Sequence, residues 1–284
     1  MQKLHNHIAW ALIAMGASSL VNAQAIPVQA RAQTVLDGWG RKFTKKGKDQ
    51  PSAPAPKRDI SGVWDPDGSV FSPYGAIAMP SDGKKEHELP YTPAGLAAFK
   101  KHKPAFGVTE VPAAQSDDPV NICDPQGLPR QDLYELRTTQ IAQTAKQILV
   151  LYTYDQLWRS IWADGRELPK DPEPKWLGYS AGKWVDDTTF VAQTIGVDDR
   201  NWVDNAGRPQ SDAMRTEEKF HRVDYDTLEL TVTLDDPKFY TKPWVAADKV
   251  RFRLLPDDFH MGEMLCSPSE IRKYNQLVGD PVGK

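Results

Sequence analysis

Residues 151–169 read LYTYDQLWRSIWADGRELP, placing four aromatic rings, two arginines and two aspartates in one short stretch. Such residues support two kinds of chemistry. Rings stack on a flat apolar ligand while an arginine holds its anionic group through paired hydrogen bonds. A carboxylate set among those rings has its charged form disfavoured, so its pKa rises and it can move protons near neutrality. Asp164 is the candidate for that proton transfer and Arg159 for holding substrate charge, with Tyr154 and His221 as further acid–base candidates. Tyr152, Trp158, Trp162, Arg166, Trp176 and Tyr179 are the candidate ligand-binding residues.

These residues act together only if a strand presents them together. Successive side chains on a strand point to opposite faces. A single strand through 152–162 puts Tyr152, Tyr154, Gln156, Trp158, Ser160 and Trp162 on one face, the expected pocket face. Thr153, Asp155, Leu157, Arg159 and Ile161 take the other. A turn at Asp155-Gln156 would divide the aromatic ladder, and a one-residue slip would exchange the faces. The hairpin expected at 176–195 continues the theme, since Gly178 and Gly182 fall on the same face as Trp176 and Trp184 and leave space for a ligand or another backbone. The plain alternative is that the rings are core and that an Arg–Asp bridge closes the strand end.

Other chemistries find less support. Beyond the first 25 residues only His87, His102, His221 and His260 remain, with no HExxH and no close histidine pair, so no metal site is assigned. Gly178-Tyr179-Ser180-Ala181-Gly182 has the letters of a nucleophile elbow but lies in a strand–hairpin pattern, so it is read as coincidence. There is no GxGxxG and no P-loop, and no cofactor is expected. The formal net charge of −3 and the lack of a basic stripe argue against a nucleic-acid partner.

The N-terminus, MQKLHNHIAWALIAMGASSLVNAQA, has a lysine, an apolar run and small residues at a cleavage site, which predicts a signal peptide over 1–25 and export to the periplasm or beyond. No other long apolar run occurs, so no stable membrane insertion is expected. Cys123 and Cys266, in an exported chain, predict one disulfide. Residues 26–58, ending KKGKDQPSAPAPKRD, predict a flexible leader, and 59–284 a single domain. Thr92 as N-cap and Pro93 at the first helical position predict a short helix over 93–101. From 138 onward strand follows strand, with turn residues between and no long helix. The expected fold is all-β, an antiparallel lipocalin-like barrel with one short helix and long loops.

Two resemblances have residues behind them. Asp59-Ile60-Ser61-Gly62-Val63-Trp64 resembles the Gly-x-Trp entry of lipocalin-like barrels, which implies a tryptophan closing one barrel end against a late-strand arginine, Arg251 or Arg253. The segments DISGVW, CDPQGLPR, WRSIWADGRELP, WLGYSAGKWVDDT, WVDNAGRPQSD and DDPKFYTKPW resemble a large family of exported, mostly uncharacterised bacterial proteins. Many of its members carry a pair of histidines where this chain has Arg208-Pro209-Gln210, and the family implies no function for this chain.

The expected function is a cofactor-independent acid–base enzyme, of lyase, isomerase or hydratase type, acting on a small aromatic or terpenoid-like molecule in an aromatic-lined barrel. The alternatives are a non-catalytic periplasmic binding protein for a small apolar ligand and a carbohydrate-active enzyme.

Overall fold

Turn chemistry divides the second half of the chain into strands. Asp186 accepts the backbone N–H groups of Thr188 and Thr189 at 2.8 and 2.7 Å, which closes the turn between β7 (Tyr179–Trp184) and β8 (Thr189–Ile195). Asp224 accepts from the Asp226 N–H at 2.9 Å and joins β9 (Arg215–Asp224) to β10 (Thr227–Asp235). The computed structural model describes residues 34–47, 50–67, 76–133, 138–274 and 276–277. The expected signal peptide, 1–25, lies outside the described residues.

Nine strands close into one barrel, in the order β10, β11 (Trp244–Leu255), β3 (Gly62–Pro66), β4 (Thr139–Gln143), β5 (Gln147–Tyr152), β6 (Trp158–Trp162), β7, β8, β9. The all-β barrel expected from the sequence is therefore the fold. The helix α1 (Pro93–Lys101) has its predicted cap, with Thr92 Oγ1 accepting from the Gly95 N–H at 3.0 Å. Two shorter helices, α2 (Arg130–Leu133) and α3 (Pro268–Tyr274), lie within the loops. Among the described residues no helix is long and apolar enough to cross a membrane.

Cys123 and Cys266 form the predicted disulfide, with Cα atoms 5.4 Å apart. It closes a loop across a sequence separation of 143 residues, worth about 5 kcal/mol in the chain-entropy account.

Two expectations are corrected. The leader is structured from Thr34. There β1 (Thr34–Leu36) and β2 (Lys42–Thr44) pair, and Val35 and Phe43 pack on Val63, Leu255 and Phe259. The buried Lys45 ammonium also binds Asp65 Oδ2 at 2.7 Å. The apolar pair of side chains and the ion pair give this segment contacts that its polar composition conceals. The second correction concerns the entry tryptophan. Trp64 is wholly buried and donates to Ile60 O at 3.0 Å, but the arginine over its ring, at 5.0 Å, is Arg222. Alternation on β9 turns Thr216, Glu218, Phe220 and Arg222 inward together. Arg253 instead donates to Thr227 Oγ1 at 2.7 Å, and Arg251 lies 3.9 Å from Glu229.

Every neighbouring pair in the barrel is antiparallel except one. β6 and β7 run parallel and share only two residue pairs, Ile161 with Ser180 and Trp162 with Ala181. Parallel neighbours cannot be joined by a tight turn. The chain therefore crosses over through residues 163–178, a proline-punctuated segment without helix or strand. Long irregular connections of this kind in a compact domain are characteristically functional.

Candidate functional site

The short parallel seam and its crossover build the site. Above Ile161 and Ser180 the two strands are paired. Towards Trp158 on β6 and Tyr179 on β7 the pairing ends, and a cleft of about 550 Å³ opens. Trp158, Trp162 and Tyr179 form aromatic walls on the strand side, and Arg166, Leu168 and Lys175 come from the crossover. The Arg166 guanidinium stacks on Trp162 at 3.4 Å, and the Lys175 ammonium lies 4.3 Å from the centre of the Tyr179 ring.

Arg159 and Ser180, both buried, stand on the strands that line this cleft and turn their side chains into the barrel interior. Behind them lies an ionic cluster. Arg159 Nη1 donates to Glu218 Oε2 at 2.8 Å, Nη2 donates to Glu218 Oε1, and Nη2 also lies 3.4 Å from Asp132 Oδ2. The Tyr152 hydroxyl donates to Asp132 Oδ1 at 2.9 Å. Ser180 Oγ meets Thr194 Oγ1 at 2.8 Å. The Arg159 Nε–H is buried and has no hydrogen-bond partner.

Burial and the neighbouring Glu218 carboxylate push Asp132 well above the usual carboxylate range, although Arg159 opposes them. Burial also raises the Tyr152 hydroxyl, so it remains a donor. Burial is the largest single influence on Arg159 and lowers it, but the Glu218, Tyr152 and Asp132 charges together with the Glu218 hydrogen bond outweigh burial and shift it upward overall.

The sequence-predicted residues divide into three groups. Trp158, Trp162, Arg166 and Tyr179 do meet in one cleft, while Arg159, on a strand that lines it, turns inward. Tyr152 lies inside the barrel, beside a second, internal cavity of only about 20 Å³ lined also by Trp64, Asp132 and Phe220. That volume suits one or two waters, so the barrel interior is filled and the cleft lies on its outer side at the seam. The remaining predicted residues sit elsewhere. Trp176 lies under the Arg200 guanidinium at 4.5 Å, Tyr154 bridges to Met264 in the turn after β5, and His221 is on the barrel surface, 3.8 Å from Glu229.

Two corrections follow. Asp164 is exposed, and the Arg166 side chain bound to it at 2.7 Å lowers its pKa to about 2. It is an ionised surface group, the opposite of an acid held protonated in an aromatic pocket. The face assignment is also inverted beyond residue 154. Asp155 and Gln156 adopt positive φ, 55° and 49°, in a turn that breaks the strand. Beyond it Arg159 and Ile161 point inward while Trp158 is 63% exposed. The tryptophans line the outer cleft instead of the barrel lumen.

Two members of the cluster, Asp132 and Glu218, escaped the sequence reading. Glu218 carries a usable signal, because it is in phase with Phe220 on an alternating strand. Asp132 stands in Arg130-Gln131-Asp132-Leu133, where no periodicity marks it. Ser180, at the centre of the apparent nucleophile elbow, lies on a strand beside Arg159 and Thr194, which suits a hydrogen-bonding role. Among the described residues no group of three or more His, Cys, Asp or Glu side chains is arranged to hold a metal ion.

No family model, curated protein or solved structure matches the chain.

Proposed function

We propose that the seam cleft binds a small planar aromatic molecule carrying an acceptor group such as a carboxylate. The observation behind this reading is the wall of three aromatic rings, Trp158, Trp162 and Tyr179, with the Arg166 and Lys175 cations set against it. The rings supply stacking area, and the Lys175 ammonium at the rim favours an anion. The disulfide and the N-terminal sequence favour an exported protein working in an oxidising compartment.

Titration with 4-hydroxybenzoate and its relatives, followed by tryptophan emission, tests the proposal. Saturable quenching that weakens several-fold in Trp162→Ala is expected, since one aromatic contact is worth roughly 0.5–1.5 kcal/mol. No saturable response across the panel would exclude it.

A second reading, acid–base catalysis of lyase or isomerase type, is favoured by Asp132. Its pKa is raised, it is hydrogen-bonded to Tyr152, and it lies behind Arg159. On this reading Asp132 would supply the proton in place of Asp164. Mass spectrometry of a phenolic and terpenoid panel should then show a product that disappears in Asp132→Asn, a variant that keeps the acceptor for Tyr152. Ligand recovered unchanged leaves binding alone.

A further inference from the structure

The seam cleft is bounded by Leu168 of the crossover, and on the other side of Leu168 a second pocket of about 330 Å³ opens at the barrel rim. It is lined by the end of β8, the start of β9 and the end of β10. The two pockets adjoin across neighbouring strands, because Leu168 lines both and Tyr179 of the first pairs with Ile195 of the second.

Their chemistry differs. The first is aromatic. The second has no aromatic lining and presents the outward-facing Gln193, Arg215, Glu217, Thr233 and Asp235. An alkyl chain would leave these donors and acceptors unsatisfied. An ammonium group would meet Arg215, which stands directly opposite Asp235 on the neighbouring strand. A polyhydroxylated ring meets neither objection. Each hydroxyl both donates and accepts, which matches carboxylates, an amide, a hydroxyl and a guanidinium set side by side.

We infer that the two pockets hold one bipartite ligand, an aromatic acid in the seam cleft joined to a sugar-like polyhydroxylated group beyond Leu168. This rests on the seam cleft being an aromatic site. The test is calorimetric titration of the full mature protein with 4-hydroxybenzoate, its 4-O-glucoside and glucose. The glucoside should bind at least tenfold more tightly than 4-hydroxybenzoate. Glu217→Gln and Asp235→Asn should each reduce the glucoside's affinity three- to tenfold and leave that of 4-hydroxybenzoate unchanged. Both side chains alternate outward from their strands, so neither substitution disturbs the packed interior. A glucoside that binds no more tightly, or an advantage that survives both substitutions, overturns the inference while the aromatic site stands. Failure of all three compounds to bind removes the aromatic site and the inference with it.

Discussion

Two arginines seven residues apart, Arg159 and Arg166, each face carboxylates, and the sequence around them gives little reason to treat them differently. Arg166 holds Asp164 at 2.7 Å in solvent. Arg159 holds Glu218 and approaches Asp132 at 3.4 Å inside the barrel. At the surface the arginine dominates, and Asp164 falls to about 2. Inside, loss of solvent and a second carboxylate outweigh the same kind of cation, and Asp132 rises. Proximity to an arginine therefore does not set the protonation state of a carboxylate; burial and the number of competing acids decide it.

The most direct way to break this comparison is to remove each arginine. Arg159→Met leaves the Glu218 carboxylate buried and unpaired, and the expected loss of stability is about 3–5 kcal/mol. Urea denaturation measures it, and a loss below about 1 kcal/mol would mean that water reaches the cluster. The same assay on Arg166→Ala should show no resolvable shift of midpoint. The double variant Arg159→Met/Glu218→Leu sharpens the contrast. Replacing the whole pair with apolar side chains should restore much of what the single substitution loses, leaving a coupling of about 1–3 kcal/mol. Additive losses would show that each residue is held by other partners.

The same contrast explains which features were legible in the sequence. The hairpin turns were readable because Asp186 and Asp224 have local jobs, accepting backbone N–H groups two or three residues away. The α1 cap was readable for the same reason. Arg159, Trp162 and Tyr179 stood out by residue type, but not by the surface they line. The Asp155-Gln156 turn, which the sequence offers as an alternative to one continuous strand, resets the alternation, and the backbone geometry decides between the two. The parallel seam was hidden too, since nothing in the crossover's prolines marks the strands it joins as neighbours. Asp132 meets Arg159 from 27 residues away and Glu218 from 59. A cluster assembled by barrel closure leaves no local pattern, whereas a surface pair two residues apart is visible at once.

Acidity gives a subtler test, because the two aspartates respond in opposite directions. For Asp132 the folded state binds a proton that the unfolded chain releases near its ordinary pKa of about 3.9. Its contribution is fully present below that pH and is lost as pH rises towards the elevated folded value. For Asp164 the contribution is present above the ordinary value and is lost as pH falls towards about 2. Asp132→Asn resembles the protonated acid at every pH. Between pH 4 and 7 its stability relative to the natural chain should therefore rise, with a slope approaching about 1.4 kcal/mol per pH unit at most. A pH-independent difference would show that Asp132 titrates alike in both states. Asp164→Asn should give a flat difference above about pH 5, since that group is then ionised in both states.

The smallest expected effect concerns the surface arginine alone. The Arg166 guanidinium covers Trp162 at 3.4 Å, and Asp164 fixes its orientation through two hydrogen bonds, at 2.9 and 2.7 Å. If that pair serves the cleft, Arg166→Ala should uncover the indole. Trp162 emission should shift to the red and become more accessible to iodide, with the unfolding midpoint unchanged. Asp164→Asn should produce a weaker version of the same change, because it loosens the guanidinium without removing it. Trp162→Phe identifies the signal, since the iodide-sensitive difference must vanish in that background. If the difference persists there, Trp158, exposed on the same strand, is the source, and the surface pair has no part in shaping the aromatic wall. A change confined to Trp162 would give Asp164 and Arg166 a role in the cleft without proton transfer.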